Sequence, residues 1–104
     1  MDEEAVLLLV VNEKDADGFP VENKERVPVF VEEKSATRSE FYEALRSGIN
    51  IKLVLELRQE DWELSSRIES GKRYYATQIE YDGAIYNIVR TYKSDKSKIE
   101  LICS

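Results

Sequence analysis

Residues 74–92 read YYATQIEYDGAIYNIVRTY, two β-rich runs joined by Asp82-Gly83. Asp-Gly between alternating apolar runs favours a two-residue type I′ turn, whose twist matches that of the strands it joins. The turn fixes the register: Tyr81 pairs with Ala84, and Ile79 faces Tyr86. A chain that commits to such a hairpin also commits to antiparallel pairing, because parallel neighbours need a long crossover.

The rest of the chain supplies partners for that hairpin. Residues 5–11, AVLLLVV, form an apolar strand whose two faces both need cover. Residues 12–25 are polar and rich in turn formers, with Asp17-Gly18 followed by Pro20. Asp15 and Asp17 sit at calcium-loop spacing, but the later ligands and closing Glu of such a loop are missing, so a solvated turn is expected. In residues 26–36 Val27, Val29 and Val31 alternate with Arg26, Pro28 and Phe30, a second strand. Pro28 has no amide proton to donate, which suits an edge or a bulge. In residues 50–58 Ile51, Leu53, Leu55 and Leu57 alternate with Lys52, Val54, Glu56 and Arg58. Residues 59–73 are polar, with Trp62 and Leu64 as candidate anchors. A last strand over 99–103 puts Ile99 and Leu101 on one face, with Cys103 as a small apolar residue.

One helix interrupts this pattern. In TRSEFYEALRSGI, residues 37–49, Thr37 and Glu40 form a capping box, and Phe41, Ala44 and Leu45 share a face. Glu40 and Glu43 lie early and Arg46 late, as the helix dipole favours, and Gly48 is a natural stop. About ten residues of helix are too few to persist alone, so the Phe41 face must dock on the β-structure. The predicted fold is mainly β: a small six-stranded antiparallel β-barrel or sandwich, one domain over residues 1–104, with one short α-helix inserted between strands two and three.

Composition narrows function. With 42% apolar and 35% charged residues, the chain has the make-up of a folded soluble domain. Its longest apolar run is too short for a membrane helix and lacks the basic flank of a signal peptide, so neither membrane insertion nor secretion is expected. Acidic residues outnumber basic ones 21 to 15, for a net charge of −6, which opposes non-specific grip on phosphate backbones. Histidine is absent, removing the commonest general base and the commonest metal ligand. No glycine-rich phosphate loop occurs among four glycines. The acidic runs Asp2-Glu3-Glu4 and Glu32-Glu33 have the pattern of solvated faces. A carboxylate hydrolase would need two acids converging in a cleft. Tyr74, Tyr75, Tyr81, Tyr86 and Tyr92 could form a stacking platform for bases, or could simply pack within the sheet. No catalytic residue, cofactor or metal site is expected.

Three segments together resemble a known family. They are EEKSATRSEFYEALRSGI (32–49), the strand IKLVLEL (51–57) that follows, and the hairpin IEYDGAIYNIVRTY (79–92) with its terminal IEL (99–101). Their order and spacing are similar to those of the head-closure proteins of long-tailed bacteriophages and prophages, also called head–tail adaptor or stopper proteins. The resemblance implies a non-enzymatic structural barrel at the virion head–tail interface, made in the cytoplasm of the bacterial host during assembly. Its partners would be the portal and adaptor ring and the tail-completion proteins. It would be a monomer when isolated and a homo-oligomeric ring in the virion, with no specific nucleic-acid recognition. Arg38, Tyr42 and Arg46 would be the partner contacts on the helix. The alternatives are another connector or tail-completion protein of similar fold, or a small nucleic-acid-binding β-barrel.

Overall fold

The computed structural model describes residues 2–14, 16–34, 46, 48 and 50–104, with the backbone alone at 11–14, 21 and 22. Strands β1 (Glu3–Lys14), β2 (Pro20–Lys34), β3 (Leu53–Arg58), β6 (Gln78–Tyr81), β7 (Ala84–Lys93) and β8 (Lys98–Cys103) close into a barrel of order β1-β2-β3-β8-β7-β6. All its pairs are antiparallel. Between β3 and β6 lie a helix, α1 (Gln59–Leu64), and a separate two-stranded sheet of β4 (Arg67–Glu69) and β5 (Lys72–Tyr74).

The expected hairpin is present in the expected register. Tyr81 pairs with Ala84 and Ile79 with Tyr86. Asp82 and Gly83 have φ of +49° and +78°, the two positive angles of a type I′ turn. The alternation in the other strands also sorts as predicted. Leu53, Leu55, Leu57, Ile99, Leu101 and Cys103 point inward and meet Leu7, Leu9, Val31 and Ile79 in one core. Val54 and Ile102, on the other face of the β3–β8 pair, are buried as well.

The apolar run of β1 needed cover on both faces, and part of that cover is polar. Leu8 is 2% exposed although it points away from the core formed by Leu7 and Leu9. In register it is flanked by Arg26 and Gln78. Arg26 reaches across to Glu80 at 3.1 Å, and Lys24 donates to Gln78 at 2.8 Å. Their aliphatic stems lie over β1 and shield it while the charged ends stay wet.

Three expectations need correction. Residues 12–14 and 20–25 are strand rather than loop, so β1 and β2 form a long ribbon with a turn at Gly18 (φ +83°). The run 74–81 is broken: Tyr74 ends β5 and β6 begins at Gln78. The segment 59–73 carries α1 and the β4–β5 hairpin, and the described helix follows strand three rather than strand two. Trp62 explains this, because a helix is the conformation that turns its ring into the core directly after β3. The helix expected over 37–49 lies outside the described residues except for Arg46, helical and exposed, and Gly48, in a turn with φ +74°.

Candidate functional site

The barrel pairs unevenly along its length, and this positions the two surfaces most able to engage a partner. β1 pairs with β6 only through Ala5–Leu8, and β2 pairs with β3 only through Glu32–Lys34. Beyond Leu9 and Glu25 the backbones of β1 and β2 pair with each other and with no other described strand. The pairs from Val10↔Lys24 to Lys14↔Pro20 therefore extend the ribbon by roughly 17 Å at about 3.4 Å per residue. The protein measures 50 × 30 × 30 Å. The free side of β2 includes Pro28, which has no proton to offer a further strand. Phe19, in the turn, is 66% exposed.

The second surface is a cleft of about 640 Å³ between α1 and β7, lined in part by Trp62, Tyr75, Ile88, Val89, Arg90 and Lys93. A bulge creates it. Ile88 pairs with Cys103 and Arg90 with Ile102, so Val89 is an extra residue in β7. Before the bulge Tyr86 and Ile88 pack on the core. After it the residues opposite inward-pointing Leu101 and Ile99 are Thr91 and Lys93, which remain exposed. The barrel thus lacks an apolar lining from β7 at this end, and Trp62 fills the gap from α1.

Several contacts hold that plug. Trp62 stacks on Tyr75 with centroids 5.1 Å apart and planes 9° from parallel. The Tyr75 hydroxyl donates to Glu63 at 2.9 Å, and Gln59 Nε2 donates to the other Glu63 oxygen at 2.8 Å. The bond to Glu63 and partial desolvation raise the Tyr75 phenol above its ordinary range. The serines after the helix satisfy its last carbonyls: Ser65 Oγ donates to Trp62 O and Ser66 Oγ to Glu63 O. Arg73 donates to Ser66 Oγ at 2.6 Å, and Arg67 pairs with Glu25, tying the β4–β5 hairpin to the helix and to the ribbon.

At the opposite mouth, Glu3, Glu33, Lys34 and Lys52 are among the residues around a cavity of about 650 Å³. The Tyr81 hydroxyl lies between the carboxylates of Glu3 and Glu33 there, and both raise its pKa, Glu3 the more. On the outer face of β3, Glu56 is 6% exposed and is met by Lys98 at 3.8 Å, Lys34 at 4.0 Å and Ser94 Oγ at 3.1 Å.

The tyrosine-rich segment divides between roles. Tyr75, Tyr81 and Tyr86 pack against the core, and Tyr74 and Tyr92 stay exposed. Burial pushes the Cys103 thiol up to about 12, so at neutral pH it is the small apolar residue expected rather than a nucleophile. Of the expected partner contacts, Arg38 and Tyr42 lie outside the described residues, and Arg46 is exposed. No group of three or more Cys, Asp or Glu suited to a metal occurs among the described residues. The cleft was not legible beforehand because the bulge leaves no mark in IYNIVRTY. The β4–β5 hairpin did leave one, Ser70-Gly71, whose φ of +51° and +77° form a second tight turn.

No family model, curated protein or solved structure matches the chain.

Proposed function

We propose that this protein is a structural component of a bacteriophage or prophage head–tail connector, closing the portal after DNA packaging and offering a docking surface to the tail. The observation that carries the proposal is the projecting β1–β2 ribbon on a small closed barrel. A closed body supplies rigidity, Pro28 blunts the side of β2 that β3 leaves open, and a ribbon reaching beyond the body makes contacts at a distance from the core. The acidic net charge of −6 suits a part past which DNA must move without being trapped. In this reading the helix expected between strands two and three, over 37–49, presents Arg38, Tyr42 and Arg46 to the adaptor or tail. The protein is a monomer alone and forms a ring where a portal holds copies side by side, because effective concentration rises there.

The test is deletion of the gene from an inducible phage. DNA-filled heads that fail to join tails, rescued by the wild-type chain, are the expected outcome. Normal virion yield without the protein would refute the proposal. A second reading, a small nucleic-acid-binding barrel, is favoured by one segment: in sequence, Arg90, Lys93, Lys96 and Lys98 lie within six residues of exposed Tyr92. Salt-sensitive duplex binding with a dissociation constant of about 10⁻⁴ to 10⁻⁶ M at about 150 mM salt would favour it.

A further inference from the structure

The chain is acidic overall, but its charge is unevenly placed. Residues 12–23, the far end of the ribbon, hold four acids (Glu13, Asp15, Asp17, Glu22) and one base (Lys14), a net of −3. Residues 90–98, the end of β7 and the turn into β8, hold four bases (Arg90, Lys93, Lys96, Lys98) and one acid (Asp95), a net of +3. Each charged segment accompanies an apolar feature of matching kind. The ribbon turn carries Phe19, two-thirds exposed, and of the basic segment Arg90 and Lys93 line the cleft beside Trp62, Tyr75, Ile88 and Val89, whereas Lys98 meets Glu56.

We infer that the cleft between α1 and β7 receives the Phe19 turn of the β1–β2 ribbon from a second copy of this chain. At about 640 Å³ the cleft has room for an aromatic side chain and the backbone on either side of it. The aromatic and aliphatic lining provides the attraction, and Arg90 and Lys93 face the acidic flanks of the incoming turn. Glu63, the one acid among the described lining residues, accepts from Tyr75 and Gln59 and lies 3.9 Å from Arg73, which offsets part of its charge. The base of the ribbon is fixed in the barrel by pairing with β6, and its last pair lies about 20 Å beyond that pairing, at about 3.4 Å per residue, which presents the turn to a neighbour. Donor and acceptor are different surfaces, so each copy can give a turn and receive one. Such a heterologous contact propagates and closes into a ring when the rotation per copy permits. A single aromatic anchor with exposed charges gives a weak, salt-sensitive contact, in keeping with a ring formed only on a template. As a ring contact, the inference rests on the connector reading above.

A nitroxide on Ala16→Cys, beside the turn, tests it while leaving Phe19 in place. Buried Cys103 is not labelled. The spin-labelled chain is mixed with isotope-labelled, spin-free wild type at about 1 mM total, a concentration that populates millimolar affinities. The expected result is loss of intensity at the single Trp62 indole resonance and at the amides of 88–93. Phe19→Ser in the spin-labelled chain should abolish that loss, and Lys93→Glu in the observed chain should weaken it. Undiminished signals at those positions, or losses centred elsewhere, would overturn the inference. So would a single-stranded oligonucleotide that shifts the same resonances when the nitroxide does not, which would assign the cleft to nucleic acid. Phage assembly separates the two proposals. Connectors that assemble normally with Phe19→Ser defeat the turn contact and leave the connector reading standing. A confirmed contact in a protein dispensable for virions defeats the connector reading alone.

Discussion

Replacing Trp62 with alanine tests whether α1 is the plug that completes the barrel. The side chain is 5% exposed and belongs to the core, although the helix that carries it has only six residues. A buried tryptophan removes about 150–250 Å² from water. At about 25 cal/mol/Å² this is roughly 4–6 kcal/mol, and a compact unfolded chain reduces it to about 3–5 kcal/mol. Measured Trp→Ala costs in cores fall in the same range, about 3–5 kcal/mol. At about 4–8 °C per kcal/mol for a domain near this size, Tm should fall by at least about 12 °C. Trp62→Phe keeps an aromatic ring over Tyr75 and should lose only about 1–2 kcal/mol. Urea unfolding followed by far-ultraviolet circular dichroism measures both without relying on the lost fluorophore. A loss below about 1 kcal/mol for Trp62→Ala would refute the reasoning, because it lies well below the range for truncating a core aromatic.

Three further outcomes are expected. Gly83→Ala should cost about 1–2 kcal/mol in chemical denaturation, because the site has φ +78° while no atom lies within 4 Å of an added Cβ, so the cost is conformational alone. Glu56→Ala removes a buried carboxylate from Lys34 and Lys98. Those lysines keep 38% and 43% of their side chains exposed and can resolvate, so the loss should be about 1–2 kcal/mol rather than the about 3–5 kcal/mol of a fully buried pair. Stability should also fall with alkaline pH. Cys103 is raised from about 9 to about 12, and Tyr75 and Tyr81 are raised as well, so the folded chain holds protons that the unfolded chain releases. The contribution from Cys103 is complete below pH 9 and is lost as pH climbs towards 12. Cys103→Ala should flatten that part of the profile in thermal melts, and an unchanged slope would contradict it.

The strand pattern was legible where a strand has one buried face. Leu53, Leu55 and Leu57 alternate with polar or outward residues, and each is buried as expected. The Asp82-Gly83 turn was legible because few other dipeptides accept two positive φ angles. What escaped was structure set by distant contacts. The outer part of the ribbon reads NEK (12–14) and PVENK (20–24), mostly polar, and a mostly polar sequence carries no period to separate strand from loop. The six residues of α1 fold because Trp62 finds the core, a tertiary cause with no local signature. The bulge at Val89 reverses which side chains of β7 face inward, and alternation read through it assigns Thr91 and Lys93 to the wrong face.

The cleft and the ribbon turn also change what the acidic composition implies. A net charge of −6 argues against a surface that grips phosphates at every point. It does not describe how the chain meets another protein, because association depends on the potential of one patch against another. Here a segment of net −3 forms the end of a ribbon, and a segment of net +3 contributes Arg90 and Lys93 to an aromatic cleft, so their charges cancel in the total. Two such patches on one chain favour ordered contact between copies and disfavour contacts of like with like. The same arrangement disfavours premature assembly, since exposed charge pairs are worth little until many copies are held together. Reversing the basic patch alone, with Arg90→Glu and Lys93→Glu, makes both patches acidic while the core residues remain unchanged. Stability should stay within about 0.5 kcal/mol of wild type, as for other exposed substitutions, while the contact between copies is lost. If the doubly reversed chain still shows Trp62 broadening from the nitroxide beside Phe19, charge is not what brings the turn to the cleft.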